Sequence, residues 1–244
     1  NILAAVAMVS MFASCDKNGP EDKTDDEGEG KQTEEVKDII TIDGDFADWA
    51  ALKNVASAER GEDYYYPGLL SMKAVADETS VYIYFEYELQ EESDESLQVS
   101  APFEIFVNSD GDVDTGGYSW IWSEIGYEYM LESEGGFLSG SSVVAMDDDM
   151  NLYQFTGPDG VDAWAEGGPY LSQLDVTSFL ESAGSVKAGI ATVELSFLRS
   201  VVNANKAGAM TLGIVAYNGA WGTTGVLPQG ATVGEVGMLE ITLP

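Results

Sequence analysis

SVYIYFEYE, from Ser80 to Glu88, alternates regularly enough to set the fold class. Successive side chains of a strand point to opposite faces, so Val81, Ile83, Phe85 and Tyr87 share one side. Tyr82, Tyr84, Glu86 and Glu88 fall on the other side or at the edge, and the first side is core. Outward from this run the same kind of segment recurs. IITI, LLSMKAVA, FEIFVN, YEYMLE, SSVVAM, NLYQFT, AGIATVELSF, MTLGIVAYN and MLEITL are short apolar or alternating stretches separated by Gly, Asp, Asn and Ser. Only LSQLDVTSFLESA and FLRSVVNANK have helical spacing, and no internal repeat recurs at a fixed period. Many short strands with no recurrent helix between them predict an all-β fold, an antiparallel β-sandwich of jelly-roll or immunoglobulin-like type with one or two short helical turns.

The chain has 244 residues, enough for one large domain, and 45% of them are hydrophobic, as in globular proteins. Its formal charge of −33 rests on 43 acidic against 10 basic residues. Nucleic acid is excluded as a partner, because phosphate binding needs clustered Lys and Arg to release counterions. Such acidity suits solubility, neutral or cationic ligands and divalent cations.

The first residues, NILAAVAMVSMFASCD, carry an apolar run from Ile2 to Phe12 followed by small residues and the single cysteine. The run is too short to span a bilayer and fits the apolar centre of a secretory signal. The basic residues expected before it are absent and Asn1 is not a start methionine, so the beginning of the leader is expected upstream. FASC resembles a bacterial lipobox, which implies a signal peptide over residues 1–14 and a lipidated Cys15. Residues 15–37 are dense in Asp, Glu, Lys and Gly with almost no large apolar side chain, the composition of a solvated tether. Residues 38–244 form the predicted sandwich domain.

ITIDGDFADWAAL, from Ile40 to Leu52, joins an apolar run to an Asp-Gly turn and a short Asp-Trp element. Asp43 and Gly44 make the turn, Asp48 can cap the next one, and Trp49 is placed to cover the end of a sandwich. This resembles the opening of family 9 carbohydrate-binding modules and related sugar-binding domains. VYIYFEYE, FEIFVNSDGDVDTGG, GYEYMLE, AGIATVELSFLRSV and GMLEITLP resemble later strands of that family in the same order, so the resemblance covers most of residues 39–244. Lipobox, acidic tether and such a domain together look like the surface lipoproteins that Bacteroidota use in glycan uptake. That implies anchoring to the outer membrane, at the cell surface or the periplasmic face, and partner proteins of a glycan-uptake complex.

Two site readings follow from the residues. In NSDGDVDTGG, Asn108, Asp110, Asp112 and Asp114 alternate, with Gly111, Gly116 and Gly117 for the bends. Calcium takes six to eight oxygens from such loops. The helix-loop-helix pattern fails, since counting from Asp110 puts Thr115 at the central glycine and Ile121 at the bidentate glutamate. The loop is therefore either an irregular structural calcium site or a set of Asx-turns satisfying their own amides. Asp147, Asp148 and Asp149 read as a solvated turn.

The second reading is aromatic. A pyranose stacks its C–H face on a flat ring while nearby polar groups take its hydroxyls. Tyr118, Trp120 and Trp122 share parity, so an extended chain points all three to one side; Trp164 and Trp221 lie in Gly-rich loops, and Tyr64 to Tyr66 form a further aromatic loop. The family clamps a terminal sugar between two tryptophans, which implies a pair from Trp120, Trp122, Trp164 and Trp221. The absence of His removes the commonest general base and zinc ligand. Only a pair of carboxylates remains for catalysis, with Glu104, Glu128 and Glu194 inside strands. The sequence thus predicts a non-catalytic, membrane-anchored binder of oligo- or polysaccharide. The alternative is a structural or adhesion lipoprotein of the same fold that contacts a partner protein and binds no sugar.

Overall fold

Residues 39–53, 55–89, 102–122, 126–133, 150–175 and 179–244 are described by the structure, a computed structural model. The leader, Cys15, the tether, SSVVAM and the Asp147 to Asp149 cluster lie outside them. In chain order the elements are α1 (Ala47–Ala51), β1 (Ala56–Glu59), β2 (Leu69–Ala76), β3 (Ser80–Glu88), β4 (Phe103–Asn108), β5 (Gly117–Tyr118), β6 (Gly126–Tyr127), β7 (Tyr129–Ser133), β8 (Met150–Phe155), β9 (Leu171–Leu174), β10 (Leu180–Lys187), β11 (Ile190–Leu198), β12 (Gly208–Tyr217), β13 (Thr223–Leu227) and β14 (Leu239–Leu243).

The strands form two antiparallel sheets. The first runs β1-β2-β3-β11-β10 and the second β13-β12-β4-β7-β8-β9. β14 lies along the same edge of β12 as β13, pairing Gly208 to Leu212 while β13 takes Ile214 to Tyr217. β3 is central in the first sheet, and its Val81, Ile83, Phe85 and Tyr87 enter the core with Val193, Leu195 and Phe197 of β11. Phe103, Ile105 and Val107 of β4, Leu131 of β7 and Leu212 and Ile214 of β12 meet them from the second sheet. This is the two-sheet sandwich expected from the alternation, with side chains of both inner faces making one core.

The outer face of the first sheet is closed by the segment before β1. Ile40 and Trp49 pack on Tyr82 and Tyr84, with Ile42, Phe46, Leu52 and Val55 around them. Glu194 of β11, fully buried, fixes this cover: its Oε1 accepts the amides of Asp43 at 3.0 Å and Gly44 at 2.6 Å, and its Oε2 accepts the Trp49 indole N–H at 3.0 Å. Gly44 has φ +79°, a conformation that favours glycine. The Asp-Gly turn and the Asp-Trp element of ITIDGDFADW are therefore one device, closed on a single carboxylate. Trp49 is core, as the sequence indicates.

Three expectations are corrected, and two strands are added. IITI is not a strand; Ile40 plugs the outer cover, and the Thr41 amide donates to Asp48. LSQLDVTSFLESA is not a helix. Its ends are β9, paired with β8, and β10, paired with β11, because ladder bonds offered by two different sheets override its local spacing. FLRSVVNANK finishes β11 and then turns around Arg199, whose buried guanidinium donates to the carbonyls of Ala204, Asp77, Lys206 and Pro244. β1 and β13, too short and polar to stand out in the sequence, complete the sheet edges.

Candidate functional site

The outer face of the second sheet carries a second apolar layer. Phe106 and Met130 alternate with core-facing neighbours and point away from the sandwich, as do Val215 and Val226. Ile121, Trp122, Tyr127, Phe155, Ala163 and Met238 pack over them. Trp122 is the pin of this second apolar layer. It is 1% exposed, its indole N–H donates to the Pro228 carbonyl at 2.8 Å, and its ring stands edge-on to Phe106. At Gly213 beneath it an added Cβ would come within 2.3 Å of the Trp122 ring, so the sheet holds a glycine where the indole lands.

Trp122 is thus corrected from a stacking platform to a packed residue. The shared parity of Tyr118, Trp120 and Trp122 requires an extended chain, but β5 ends at Tyr118 and the chain then turns. Tyr118 and Trp120 remain exposed while Ile121 and Trp122 both enter the layer. Trp164 and Trp221 are exposed as well, at 64% and 46%. Tyr118 lies beside the Trp164 loop, its backbone N–H donating to the Val161 carbonyl at 3.0 Å. Tyr65, 66% exposed on the edge of Tyr66, adds a ring the sequence ranked lower.

Trp221 occupies the turn between β12 and β13 at φ +61°, where a side chain other than glycine is strained. The turn is held by Asn218, whose Oδ1 accepts the amides of Ala220 and Gly222. The Trp221 ring lies 5.4 Å, centroid to centroid, from that of Tyr217.

Tyr217 leads to the polar centre of this face. Its hydroxyl donates to Oε2 of Glu104, a β4 side chain only 6% exposed. Glu104 stands directly across the strands from Glu132 of β7, and Glu132 from Asn151 of β8. Tyr153 donates to Glu132 at 3.3 Å, and Gln173 donates to Asn151 at 2.6 Å. Burial pushes the Glu104 carboxyl up to about 7, against the Tyr217 hydrogen bond, and the charges of Glu132 and Asp162 push it the same way. Asp162 in turn accepts the Trp164 amide at 2.8 Å. Trp221 is therefore linked to Glu104 through Tyr217, while Asp162 shapes the turn that carries Trp164. The sequence signal was present but weak: Glu104 interrupts FEIFVN, a strand buried along its whole length.

The acidic turn lies at the opposite end of β4. Asn108 is buried; its Oδ1 accepts the Gly111 amide at 2.7 Å and its Nδ2 donates to the Asp112 carbonyl. Asp110 accepts the Asp112 amide, and Asp112 the Asp114 amide. The Thr115 hydroxyl reaches both Asp110 and Glu128, while Glu128 accepts the Ser109 amide. Asp110 and Asp112 thus each close an Asx-turn on the amide two residues on. Asp110, Glu128 and Asp159 line one cleft of about 330 Å³, but among the described residues no three acidic or thiol side chains are grouped as a metal ion would need. Burial raises the Glu128 carboxyl, and Asp110 adds to it. Of the three strand acids, Glu194 and Glu128 hold turns and Glu104 alone faces the aromatic side.

No protein-family model matches the chain, and no curated protein matches it. Among solved structures it is similar at low identity to family 9 carbohydrate-binding modules from Caldicellulosiruptor kristjanssonii. One, in complex with cellotriose, is 12% identical with a TM-score of 0.37, covering 84% of this chain and 89% of the module. Another, in complex with glucose, is 11% identical with a TM-score of 0.38, covering 84% of this chain and 91% of the module.

Proposed function

We propose that the protein binds carbohydrate without chemistry at the outer face of the second sheet. Trp164 and Trp221 supply stacking surfaces, Tyr118 and Trp120 extend them, and Glu104, Tyr217, Asn151 and Gln173 take hydroxyls. The observation that carries this reading is the exposed Trp221 ring lying against Tyr217, whose hydroxyl donates to the buried carboxylate of Glu104. Apolar rings and a few fixed polar groups are what a sugar site requires.

A glycan array with wild type and the Trp164→Ala and Trp221→Ala variants tests this. Binding by wild type that is lost in either variant supports the reading, and binding that survives the double variant overturns it. Lipidation of Cys15, anchoring at the outer membrane and glycan-uptake partners are proposals of the same standing, supported by the lipobox and the acidic tether. Release of the protein from membranes by Cys15→Ala tests the anchor. A structural calcium at the acidic turn is a further proposal, in which Asp110 and Glu128 would give up Thr115 to take the ion; a rise in melting temperature with calcium, reversed by chelator, tests it.

A further inference from the structure

We infer that Asn218 is a self-modifying residue: the turn between β12 and β13 converts it, with water as the only co-reactant, to aspartate or isoaspartate, and the isoaspartyl form dismantles the seat of Trp221. Asn218 is followed by Gly219, the one Asn-Gly dipeptide among the described residues. With no side chain at Gly219 the main chain there has its widest freedom, and nothing lies within 4 Å of where a Cβ would stand. Gly219 to Gly222 are exposed, so water and hydroxide reach the peptide bond. Nothing therefore shields the Gly219 nitrogen from attacking Asn218 Cγ, the ring closure by which an asparagine loses its amide.

The turn also promotes the reaction. Asn218 Oδ1 accepts the backbone N–H groups of Ala220 at 3.0 Å and Gly222 at 2.9 Å. Charge gathers on that same oxygen as Cγ becomes tetrahedral, and fixed backbone donors at about 2.7–3.1 Å are what stabilise such an oxyanion. The turn holds both donors, since the Asn218 N–H donates to the Gly222 carbonyl and the Trp221 N–H to the Asn218 carbonyl, each at 2.9 Å.

In the first step the Gly219 nitrogen gives its proton to hydroxide and bonds to Cγ; the Cγ–Nδ2 bond breaks, and Nδ2 takes a proton from water and leaves as ammonia. Water then opens the cyclic imide. Cleavage of the new N–Cγ bond gives aspartate, and cleavage of the original peptide bond gives isoaspartate; nothing is oxidised or reduced. Isoaspartate routes the main chain through Cβ and Cγ, so the oxygens that accepted the Ala220, Trp221 and Gly222 amides exchange places in the chain. The turn that sets Trp221 at φ +61° against Tyr217 cannot keep its geometry. The resulting loss of affinity rests on the carbohydrate-binding reading, whereas the modification does not.

The test holds the full folded chain near pH 8 beside the synthetic peptide YNGAWGTTG, residues 217–225. Mass spectrometry of the Asn218 peptide follows the conversion, with isoaspartate scored by its chromatographic shift. A buried oxyanion donor is worth roughly 10²–10³ in rate, and water competes with it at an exposed turn, so conversion about tenfold faster in the folded chain than in the peptide is expected. Conversion in the folded chain at or below the peptide's rate overturns the inference, because the turn then protects Asn218. The aged form, which carries an added negative charge, is separated by ion exchange and compared with fresh protein on the glycan array. Binding lost on ageing supports the effect on Trp221, and undiminished binding overturns it. If neither form binds, the carbohydrate reading falls alone, because the mass measurement decides the modification by itself.

Discussion

Each sheet of the sandwich carries a buried glutamate on its outer face, and the two are used in opposite ways. Glu194 is saturated: two turn amides and an indole N–H fill its oxygens, and the segment that donates them closes the face. Glu104 accepts one hydroxyl, that of Tyr217, and stands across the strands from another glutamate. Burial raises the carboxyl in both. The difference teaches that burial of an acid does not mark function by itself. What marks it is whether the chain spends the acid's acceptors on its own backbone.

The largest effect should come from the residue that separates cover from platform on the second sheet. Trp122→Ala removes a 1%-exposed ring and its bond to Pro228, and large core aromatics cost about 3–5 kcal/mol on truncation. Chemical denaturation should show a loss of that size, and a loss below 1 kcal/mol would return Trp122 to the platform. Glu194→Ala comes next. It leaves two turn amides and the Trp49 indole without their acceptor, for a loss of about 3 kcal/mol, with a matching change in Trp49 fluorescence as the cover loosens.

Glu104 should behave in the opposite sense. Its folded carboxyl titrates at about 7, above the ordinary carboxylate value of 4.5, so its stabilising contribution is complete below 4.5 and lost as pH rises through 7. Ionising it in the fold above that range costs about 3 kcal/mol. Glu104→Gln should therefore match wild type near pH 4 and exceed it at pH 8 by up to that amount. Urea midpoints collected across this range check the sign, and a variant less stable than wild type at pH 8 would place Glu104 in the same class as Glu194.

The sequence carried much of the first sheet and less of the second. SVYIYFEYE and AGIATVELSF became neighbouring strands, and ITIDGDFADW read as a turn with a core tryptophan, because local turn chemistry and period-two alternation are written in adjacent residues. The acceptor that unites that motif, Glu194, lies far along the chain and has no local signature. β9 and β10 were hidden for the same reason: only their partners, β8 and β11, make strands of a helix-like spacing. On the second sheet, parity placed Trp122 with Tyr118 and Trp120, and a turn after Tyr118 undid it. Trp164 and Trp221 were legible because glycine-rich loops leave a large ring little to pack against.

The smallest stability effects and the sharpest functional ones should meet at those two residues. Trp164→Ala removes an exposed ring, and surface substitutions stay within about 0.5 kcal/mol. Trp221 goes further, because at φ +61° its side chain strains the turn that Asn218 holds. Glycine there relieves about 1 kcal/mol, offset by the lost contact with Tyr217. Trp221→Gly is therefore expected to be at least as stable as wild type in thermal melts while losing glycan affinity. A ring kept at a strained, exposed position against the interest of stability is what the proposed sugar site asks of Trp221. If Trp221→Gly instead unfolds the protein, the ring belongs to the packing of Tyr217, and the second sheet's outer face is a cover like the first.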